Sequence, residues 1–331
     1  MPLIVKCNNG IVTDRYLEII GEALLREHKD VRYTNCFSDA LKENKKEVIV
    51  VARTIEAFKL LIKGFKNVIV WYQGVEPEES FMAHGSKLRF WILSCMERYI
   101  LKKNKFSIFV SEEMHNHYER KYNIKIRREM YYCMPCMNTE IHKEAFLSKR
   151  KYSDNIFAYI GSLAVWQKFE ETVKIYKKIE ESGLSNCKLK VYTSQIDEAK
   201  KIIENQCLKN YEIGFVANNE LPKALGDVKY GFIIRENTTV NRVATPTKIS
   251  TYLSCGLIPV YSECISDFSL LAQNMKYALK CDAEIVKHIN EFASQEIDYR
   301  DVYSEYQSIF ESHYSQEYHI KRLGTYKNFR G

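Results

Sequence analysis

The sequence predicts an α/β protein with two Rossmann-like domains, each built on a parallel β-sheet. Three observations support this fold class. The chain has 331 residues, more than one typical domain of roughly 100–200 residues holds. Short apolar runs alternate with longer segments of helical period, and this alternation restarts near residue 150. Strands that alternate with helices form parallel sheets through right-handed crossovers. We therefore expect one domain over residues 1–150 and a second over residues 151–331.

In the first domain, apolar runs predict strands and amphipathic segments predict the helices between them. The predicted strands are Leu3–Cys7, Val48–Val51, Val68–Trp71, Ser107–Val110 and Glu129–Cys133. The predicted helices are Arg15–His28, Glu56–Gly64, Ser86–Leu101 and Glu112–Tyr122. Ligands bind open parallel sheets at the carboxyl ends of the strands, so the residues that follow each strand are candidates for the functional site.

The same alternation predicts the second domain. Its strands are Ile156–Ile160, Lys188–Tyr192, Tyr211–Phe215, Gly231–Ile234 and Leu257–Tyr261, with helices at Lys168–Glu181 and Asp197–Gln206. The polar, basic stretch Asn138–Asp154 has no sustained period and is the predicted linker. A tyrosine-rich helical tail follows Asp298, and its apolar spacing predicts that it packs back on the body. Two domains of similar size imply a cleft between them.

Composition excludes several classes of protein. The chain is 46% hydrophobic and 27% charged, which is globular rather than disordered. Lys and Arg number 49 against 42 Asp and Glu, so the formal charge is +7. No apolar run approaches the roughly 20 residues of a membrane span. Met1–Val5 leads into the first strand without an export signal, so we expect a cytoplasmic protein.

Cysteine and histidine spacings do not predict a metal site. There are ten cysteines, and Cys133 and Cys136 form the only C-x-x-C pair. No second pair of ligands stands at a zinc-like spacing, so we expect free thiols and no metal. The basic clusters are not accompanied by a zinc-finger or RNA-recognition pattern, so we expect no nucleic-acid partner.

The strongest local signal is the segment Ala244–Gly256. Thr245 is a good helix N-cap, Pro246 suits the first helical position and Gly256 suits the end of the helix. This start leaves the N–H groups of Thr247 and Lys248 free beside the positive end of the helix dipole, which favours an anion. An ordinary capped helix with a solvated lysine has the same pattern.

A second signal follows the first strand of the second domain. Gly161 allows a ligand to approach the backbone closely, and Ser162 stands beside it. Lys168 opens the next helix, so we expect Lys168 and Lys248 to converge on one edge of the sheet, where they suit a diphosphate. Gly and Ser are also common in βα loops that bind nothing.

A third signal follows a strand of the first domain. Gln73, Gly74 and Glu76 are expected to face the cleft and bind an acceptor, and Glu78 is a candidate acid or base. Glu78 and its neighbour Glu79 suit an acidic helix start equally well. His84 lies farther along and either faces the cleft or stands in a surface loop.

These segments together resemble the GT-B glycosyltransferases, and specifically glycosyltransferase family 4 enzymes of bacterial surface-polysaccharide clusters. On the acceptor side, the similar motifs are Gln73-Gly74 with Pro77-Glu78-Glu79, Val110-Ser111-Glu112-Glu113-Met114, and Met134-Pro135-Cys136. On the donor side they are Tyr159-Ile160-Gly161-Ser162 with Trp166-Gln167-Lys168, and Thr245-Pro246-Thr247-Lys248 with Tyr252-Leu253 and Gly256.

The resemblance covers nearly the whole chain. It implies the GT-B fold, transfer of a glycosyl group with retention, and no metal cofactor. The sequence also lacks the Asp-x-Asp motif of the GT-A class. The implied partners are an activated sugar donor and a glycan or lipid-linked glycan acceptor, as in capsule, O-antigen or lipopolysaccharide synthesis.

The sequence departs from the family pattern where a ribose-binding glutamate is usual. Thr251 stands at that position and Val243 at the position of its partner glutamate. Arg235 and Arg242, which lie nearby in sequence, add donors for anionic oxygens. A glycan phosphoribosyltransferase that uses phosphoribosyl pyrophosphate is therefore an alternative to a nucleotide-sugar enzyme. A non-catalytic GT-B subunit and a sugar-nucleotide epimerase are further alternatives.

One predicted helix has the composition of a membrane-binding segment. Leu88–Leu101 is amphipathic and rich in aromatic residues, and it has a lysine-rich end. It fits peripheral contact with the inner face of the cell membrane, where lipid-linked acceptors are found. A core helix with a solvated basic end is the alternative.

Overall fold

The structure is a computed structural model that describes residues 1–6, 11–137, 140–148 and 150–330. The chain forms two compact units. The first comprises Met1–Pro135 together with Ser315–Gly331, and the second comprises Cys136–Tyr314. The division falls after Pro135 rather than near residue 150, and the end of the chain belongs to the first unit. Cys7 of the predicted first strand, and Asn138, Thr139 and Lys149 of the predicted linker, lie outside the described residues.

The first unit contains a six-stranded parallel sheet with the strand order β2-β1-β3-β4-β5-β6. Its strands are β1 Leu3–Val5, β2 Arg32–Thr34, β3 Val48–Val51, β4 Asn67–Tyr72, β5 Phe106–Phe109 and β6 Tyr131–Cys133. Its helices before the chain leaves the unit are α1 Ile11–Leu25, α2 Phe37–Ala40, α3 Thr54–Ile62, α4 Glu76–His84, α5 Lys87–Lys103 and α6 Glu112–Tyr122.

The central strands of this sheet are buried on both faces. β3 and β4 pair in parallel from Val48 opposite Asn67 to Val51 opposite Val70. All four side chains of β3 are buried, as are the last five of β4. Continuous burial of this kind is typical of a parallel sheet covered by helices on both sides. This burial on both faces explains why the strands are continuous apolar runs in the sequence.

The second unit repeats the architecture with the order β12-β11-β10-β7-β8-β9, all parallel. Its strands are β7 Asn155–Ile160, β8 Cys187–Tyr192, β9 Tyr211–Gly214, β10 Tyr230–Ile233, β11 Ile258–Tyr261 and β12 Leu279–Lys280. Its helices are α7 Phe169–Glu181, α8 Ile196–Asn205, α9 Leu221–Ala224, α10 Thr239–Val243, α11 Thr247–Ser254, α12 Ser266–Ala272, α13 Ile285–Ala293 and α14 Tyr299–Ile309.

The tyrosine-rich tail divides between the two units. In α14, the buried Tyr306 hydroxyl donates a hydrogen bond to Leu257 O at 3.0 Å. After a π-helical turn at Phe310–Tyr314, the chain enters α15 (Gln316–Leu323) and α16 (Lys327–Arg330) of the first unit. There α15 packs on α1, and the ring of Phe329 lies 5.5 Å from that of Phe106. The predicted return of the C-terminal helix is confirmed.

Among the described residues, no helix combines the length and apolar character that crossing a membrane requires.

Candidate active site

The second unit has a cavity of about 420 Å³ at the carboxyl edge of its sheet. Its walls come from the residues that follow β7, β8, β9 and β10, and from the first turn of α11. This is where ligands bind in open parallel sheets. Six residues singled out from the sequence line it: Gly161, Ser162, Arg235, Thr247, Lys248 and Thr251. The fold thus brings together residues that are separated by up to 90 positions in the chain.

Lys248 is the central basic group of this cavity. Its side chain is buried, with 8% of the residue exposed. The Nζ atom donates a hydrogen bond to Gln167 Oε1 at 2.7 Å and lies 3.9 Å from the centre of the Tyr159 ring. Burial, together with repulsion from Arg235, holds the pKa of Lys248 well below its ordinary value. A charged Lys248 is therefore costly here unless an anion accompanies it.

Arg235 adds a second cation to the same wall. Its backbone N–H donates to Ser262 Oγ at 2.9 Å, and its Nη1 atom donates to Trp166 O at 3.1 Å. Burial lowers the pKa of Arg235 to about 10. No residue that lines the cavity is acidic, and no carboxylate of the described chain pairs with Arg235 or Lys248. The cavity therefore carries positive charge that only a bound anion can balance.

Gly161 lets the chain pass close to Lys248. Its φ of +108° lies in a region that side chains rarely adopt, and a Cβ atom there would lie 3.0 Å from Lys248 Cε. The glycine is required both by its backbone conformation and by the space that Lys248 occupies.

The helix start at this site differs from the prediction in one respect. The N-cap of α11 is Pro246 and the helix begins at Thr247, so the prediction of Thr245 as N-cap is wrong. Thr245 Oγ1 instead accepts a hydrogen bond from the N–H of Cys136 at 2.8 Å. Proline has no polar side-chain atom, and no side chain caps this helix. Its first turn lines the cavity and can bind an anion through backbone N–H groups.

Thr251 occupies the same helix one turn later. Its Oγ1 atom donates to Thr247 O at 3.1 Å, a hydrogen bond within the helix. A hydroxyl in this arrangement does not replace a carboxylate, which can accept hydrogen bonds from two ligand hydroxyls at once.

Three residues assigned to donor binding do not line this cavity: Lys168, Arg242 and Thr245. Lys168 Nζ forms an ion pair with Glu236 at 2.8 Å. Arg242 donates to Asn237 Oδ1 and Thr239 Oγ1, both at 3.0 Å. Arg235 and Lys248 are thus the two basic residues that line the cavity. The convergence of Lys168 and Lys248, and a direct role for Lys168, stay predictions.

Several residues that line the cavity were not singled out from the sequence as site residues. They are Gln167, Tyr192, Thr193, Ser194, Phe215, Val216, Asn218 and Leu221. Thr193 directly follows β8 and Phe215 directly follows β9, so position after a strand was the signal that could have found them. Phe215 is 66% exposed and offers an aromatic face to a ligand.

The first unit has a smaller cavity of about 240 Å³ at the carboxyl ends of β3 and β4. Gln73, Gly74 and Glu76, all predicted to bind an acceptor, line it together with Arg53 and Glu79. Gln73 Oε1 accepts a hydrogen bond from Thr13 Oγ1 at 3.1 Å. Val75 N donates to Glu79 Oε1 at 3.2 Å, so this carboxylate caps the start of α4.

Glu78 and His84 do not line this second cavity. Lys121 Nζ bonds to Glu78 at 2.9 Å, and His117 Nε2 lies 3.1 Å from the same carboxylate. Burial raises the pKa of Glu78, but His117 and Lys121 outweigh it and hold that pKa below its ordinary value. Lys121 also pairs with the buried Glu97 at 3.2 Å. Lys121 of α6 thus links Glu78 of α4 to Glu97 of α5, while His84 ends α4 on the surface.

The described residues contain no group of three His, Cys, Asp or Glu side chains placed to hold a metal ion. The described cysteines, including Cys133 and Cys136, form no disulfide with one another.

Comparison with solved structures shows the fold. No protein-family model and no curated protein matches this sequence. WaaG, a glycosyltransferase involved in lipopolysaccharide biosynthesis, aligns with a TM-score of 0.66 and 11% identity over 99% of this chain and 100% of its own. HepE from Anabaena, in complex with UDP and glucose, aligns with a TM-score of 0.65 and 10% identity over 98% of both chains.

The third comparison is with S. aureus TarM, a mutant in complex with fondaparinux, α-GlcNAc-glycerol and UDP. It aligns with a TM-score of 0.62 and 14% identity over 90% of this chain. This chain spans only 58% of TarM, in contrast to the nearly full lengths of WaaG and HepE. These neighbours are GT-B glycosyltransferases, and the prediction of a GT-B fold is confirmed.

Proposed function

We propose that this protein is a retaining glycosyltransferase that transfers a sugar from a diphosphate-activated donor to a growing surface polysaccharide or lipid-linked glycan. The observation that carries the proposal is the cavity at the carboxyl edge of the second sheet. There the buried Lys248 and the half-buried Arg235 have no carboxylate partner among the described residues, and they lie beside an uncapped helix start. HepE and TarM were each solved with UDP bound. A nucleoside diphosphate carries negative charge that would balance the basic residues of this cavity.

The basic residues of the cavity can assist the transfer by stabilising the leaving diphosphate. Transfer breaks the bond between the anomeric carbon of the sugar and a diphosphate oxygen, which keeps the electron pair. The acceptor hydroxyl oxygen forms the new bond, and its proton leaves on the released diphosphate. Negative charge therefore grows on the diphosphate as the old bond breaks. Lys248, Arg235 and the first turn of α11 are positioned to stabilise that charge, which is electrostatic stabilisation of the transition state.

The first unit is proposed to bind the acceptor. Its cavity offers Gln73, Glu76 and Arg53 as hydrogen-bonding groups for sugar hydroxyls.

Outside that cavity, the start of α5 exposes Leu88 (69%) and Trp91 (64%). Lys87 and Arg89 lie beside them and are also exposed. An exposed apolar face flanked by basic residues binds anionic lipid surfaces. We therefore propose that the protein works peripherally at the inner face of the cell membrane on a lipid-linked acceptor.

A second candidate donor is phosphoribosyl pyrophosphate. The specific observation in its favour is that no acidic residue lines the donor cavity, and that Thr251 is bonded to its own helix. A nucleotide sugar presents a ribose diol that a carboxylate usually holds. Phosphoribosyl pyrophosphate presents more phosphate instead, which suits two cations.

Ligand-dependent thermal stability separates the candidates, because a ligand that binds only the folded state raises its stability. Stabilisation by UDP or GDP, but not by phosphoribosyl pyrophosphate, would establish a nucleotide-sugar enzyme. The reverse pattern would establish phosphoribosyl transfer. No stabilisation by any of these ligands would contradict both and favour a non-catalytic subunit.

Replacement of Lys248 tests the proposed chemistry. We expect Lys248→Met to lower turnover by about 100- to 1,000-fold, as loss of a group that stabilises the transition state does. A matched control is Lys174→Met, which removes a lysine that pairs with Glu170 on the surface of α7. Unchanged turnover in Lys248→Met would contradict the assignment of the donor site.

A further inference from the structure

We propose that Tyr159 and Gln167 are positioning residues for Lys248, whose amine is uncharged in the free protein, so that the donor diphosphate binds together with a proton. This inference rests on the proposed function, because it takes the donor diphosphate to occupy the cavity around Lys248. It adds a role for two side chains and a proton that is taken up on binding.

Two side chains contact the amine of Lys248. Its amine donates to the Gln167 carboxamide oxygen at 2.7 Å and lies 3.9 Å from the centre of the Tyr159 ring. A carboxamide oxygen accepts a hydrogen bond from a neutral amine as well as from an ammonium group. Tyr159 is 1% exposed and donates its hydroxyl proton to Ser162 O at 2.6 Å, which fixes the ring. Neither contact supplies a negative charge.

The surrounding groups do not supply one either. Arg235 is a like charge on the same cavity wall. The phenols of Tyr159 and Tyr252 and the thiol of Cys264 stay neutral, because burial raises the pKa of each. Glu236 is paired with Lys168. Burial of Lys248 and the nearby Arg235 lower the pKa of Lys248, in agreement with this census of the described neighbours.

An anionic donor changes this balance. Its phosphate oxygens supply the missing counter-charge, so the ammonium form becomes the stable form of Lys248. The face of an aromatic ring attracts a cation but not a neutral amine. The Tyr159 ring therefore favours Lys248 only once it is charged, and so contributes to donor affinity.

Calorimetry with UDP and with inorganic pyrophosphate tests this inference. Proton uptake is measured with UDP at about pH 8.5, where a terminal phosphate with a second pKa of about 6 is fully ionised. Pyrophosphate still carries a proton at this pH and serves only to show binding. Heats measured in buffers of different ionisation enthalpy then give the number of protons taken up. We expect up to one proton per ligand, and an affinity that weakens by up to about tenfold per pH unit as the pH rises.

Three variants assign the proton to Lys248 and its neighbours. Lys248→Arg keeps a permanent charge, so we expect binding without proton uptake. Gln167→Glu provides a counter-charge in the free protein, so we expect proton uptake to disappear although Lys248 remains. Lys174→Met, on the surface of α7, is the control and should bind both probes as the unmodified protein does.

Tyr159 is tested with a matched pair of substitutions. Tyr159→Phe keeps the ring, so we expect it to keep the proton uptake. Tyr159→Leu removes the ring, so we expect about two- to thirtyfold weaker binding and a pH profile shifted to lower pH. A merely structural role would lower thermal stability without moving that profile.

The outcomes separate this inference from the proposed function. Binding of UDP by the unmodified protein without proton uptake would overturn this inference and leave the donor site standing. An unshifted pH profile in Tyr159→Leu would remove Tyr159 from it. Failure of both probes to bind would overturn the donor site and this inference with it.

Discussion

Gly161 and Lys248 lie so close that a Cβ atom on Gly161 would lie 3.0 Å from Lys248 Cε and 3.5 Å from its Nζ. The contact joins the end of β7 to the first turn of α11, and 87 positions separate the two residues in sequence. It shows why a glycine follows this strand. A side chain here would displace the ammonium group that we propose to meet the donor diphosphate.

We expect Gly161→Ala to lose affinity for UDP as well as stability. The φ of +108° at this position costs an alanine about 1–3 kcal/mol, and the added methyl group pushes against Lys248. Gly85→Ala is the control, because Gly85 also has a positive φ but has open space where a Cβ would be. Calorimetric titration and thermal unfolding should show lower stability in both variants and weaker UDP binding in Gly161→Ala alone. Equal UDP binding in the two would contradict the close contact.

The arginines that follow β10 should differ in their effect on the donor. We expect Arg235→Met to weaken UDP binding by about ten- to hundredfold, because it removes a charged hydrogen-bond donor from the cavity. Arg242→Met should leave binding unchanged, because Arg242 bonds to Asn237 and Thr239 outside the cavity lining. Isothermal titration of both variants measures the difference. A larger loss in Arg242→Met would contradict the placement of Arg235, rather than Arg242, in the donor cavity.

Lys121 should matter for stability. It pairs with Glu78 and with the buried Glu97, so Lys121→Met leaves both carboxylates without their cation. We expect the free energy of unfolding to fall by about 3–5 kcal/mol. Lys42→Met, which breaks the exposed pair with Asp39, should cost less than about 1 kcal/mol. Urea denaturation measures both. A cost for Lys121→Met as small as that for Lys42→Met would indicate that Glu78 is available for another role.

His313 predicts an acid-sensitive stability. Burial lowers the pKa of His313 from 6.5 to about 4. The unfolded chain therefore binds a proton at a higher pH than the folded protein does. The stability that neutral His313 provides is complete above about pH 6.5 and is lost as the pH falls towards 4, by on the order of 3 kcal/mol. His313→Gln should flatten the pH dependence of the free energy of unfolding over this range. A pH dependence as steep in His313→Gln as in the unmodified protein would contradict this assignment to His313.

Membrane binding can be tested with two equally exposed leucines. Leu88 on α5 is 69% exposed and Leu270 on α12 is 64% exposed. We expect Leu88→Ala to weaken binding to vesicles that contain phosphatidylglycerol by about tenfold, because the side chain leaves water on binding. Leu270→Ala should have no effect. Co-sedimentation with vesicles measures both, and an equal effect of the two substitutions would contradict docking through α5.

The sequence predicted the parts of the fold in which one segment carries its own signal. The buried strands β3, β4 and β7 are continuous apolar runs, so their positions could be predicted closely. The strands β2 and β12, with three and two residues, are too short to show any period. The N-cap of α11 was misplaced because Thr245 has a suitable side chain, but its hydroxyl is used by the backbone of Cys136.

The residues of the candidate site also divide into those that could be placed from the sequence and those that could not. Gly161, Arg235 and Lys248 follow strands or begin a helix, so their places at the carboxyl edge could be expected from the order of elements. Their partners could not. Gln167 reaches Lys248 across 81 positions, and Lys121 reaches Glu78 across 43. Such pairs depend on how separate elements pack, which a local pattern does not encode.

The return of the chain at Ser315 makes the first unit discontinuous in sequence, while the second is one uninterrupted stretch. Arg26 on one side of this interruption forms an ion pair with Glu317 on the other, and Tyr132 bonds to His319 in the same way. A chimaera that exchanges the second unit for that of another protein with this fold therefore needs two crossover points, after Pro135 and after Tyr314. A single crossover would join the α15 and α16 of one parent to the sheet of the other, and would combine mismatched halves of these contacts.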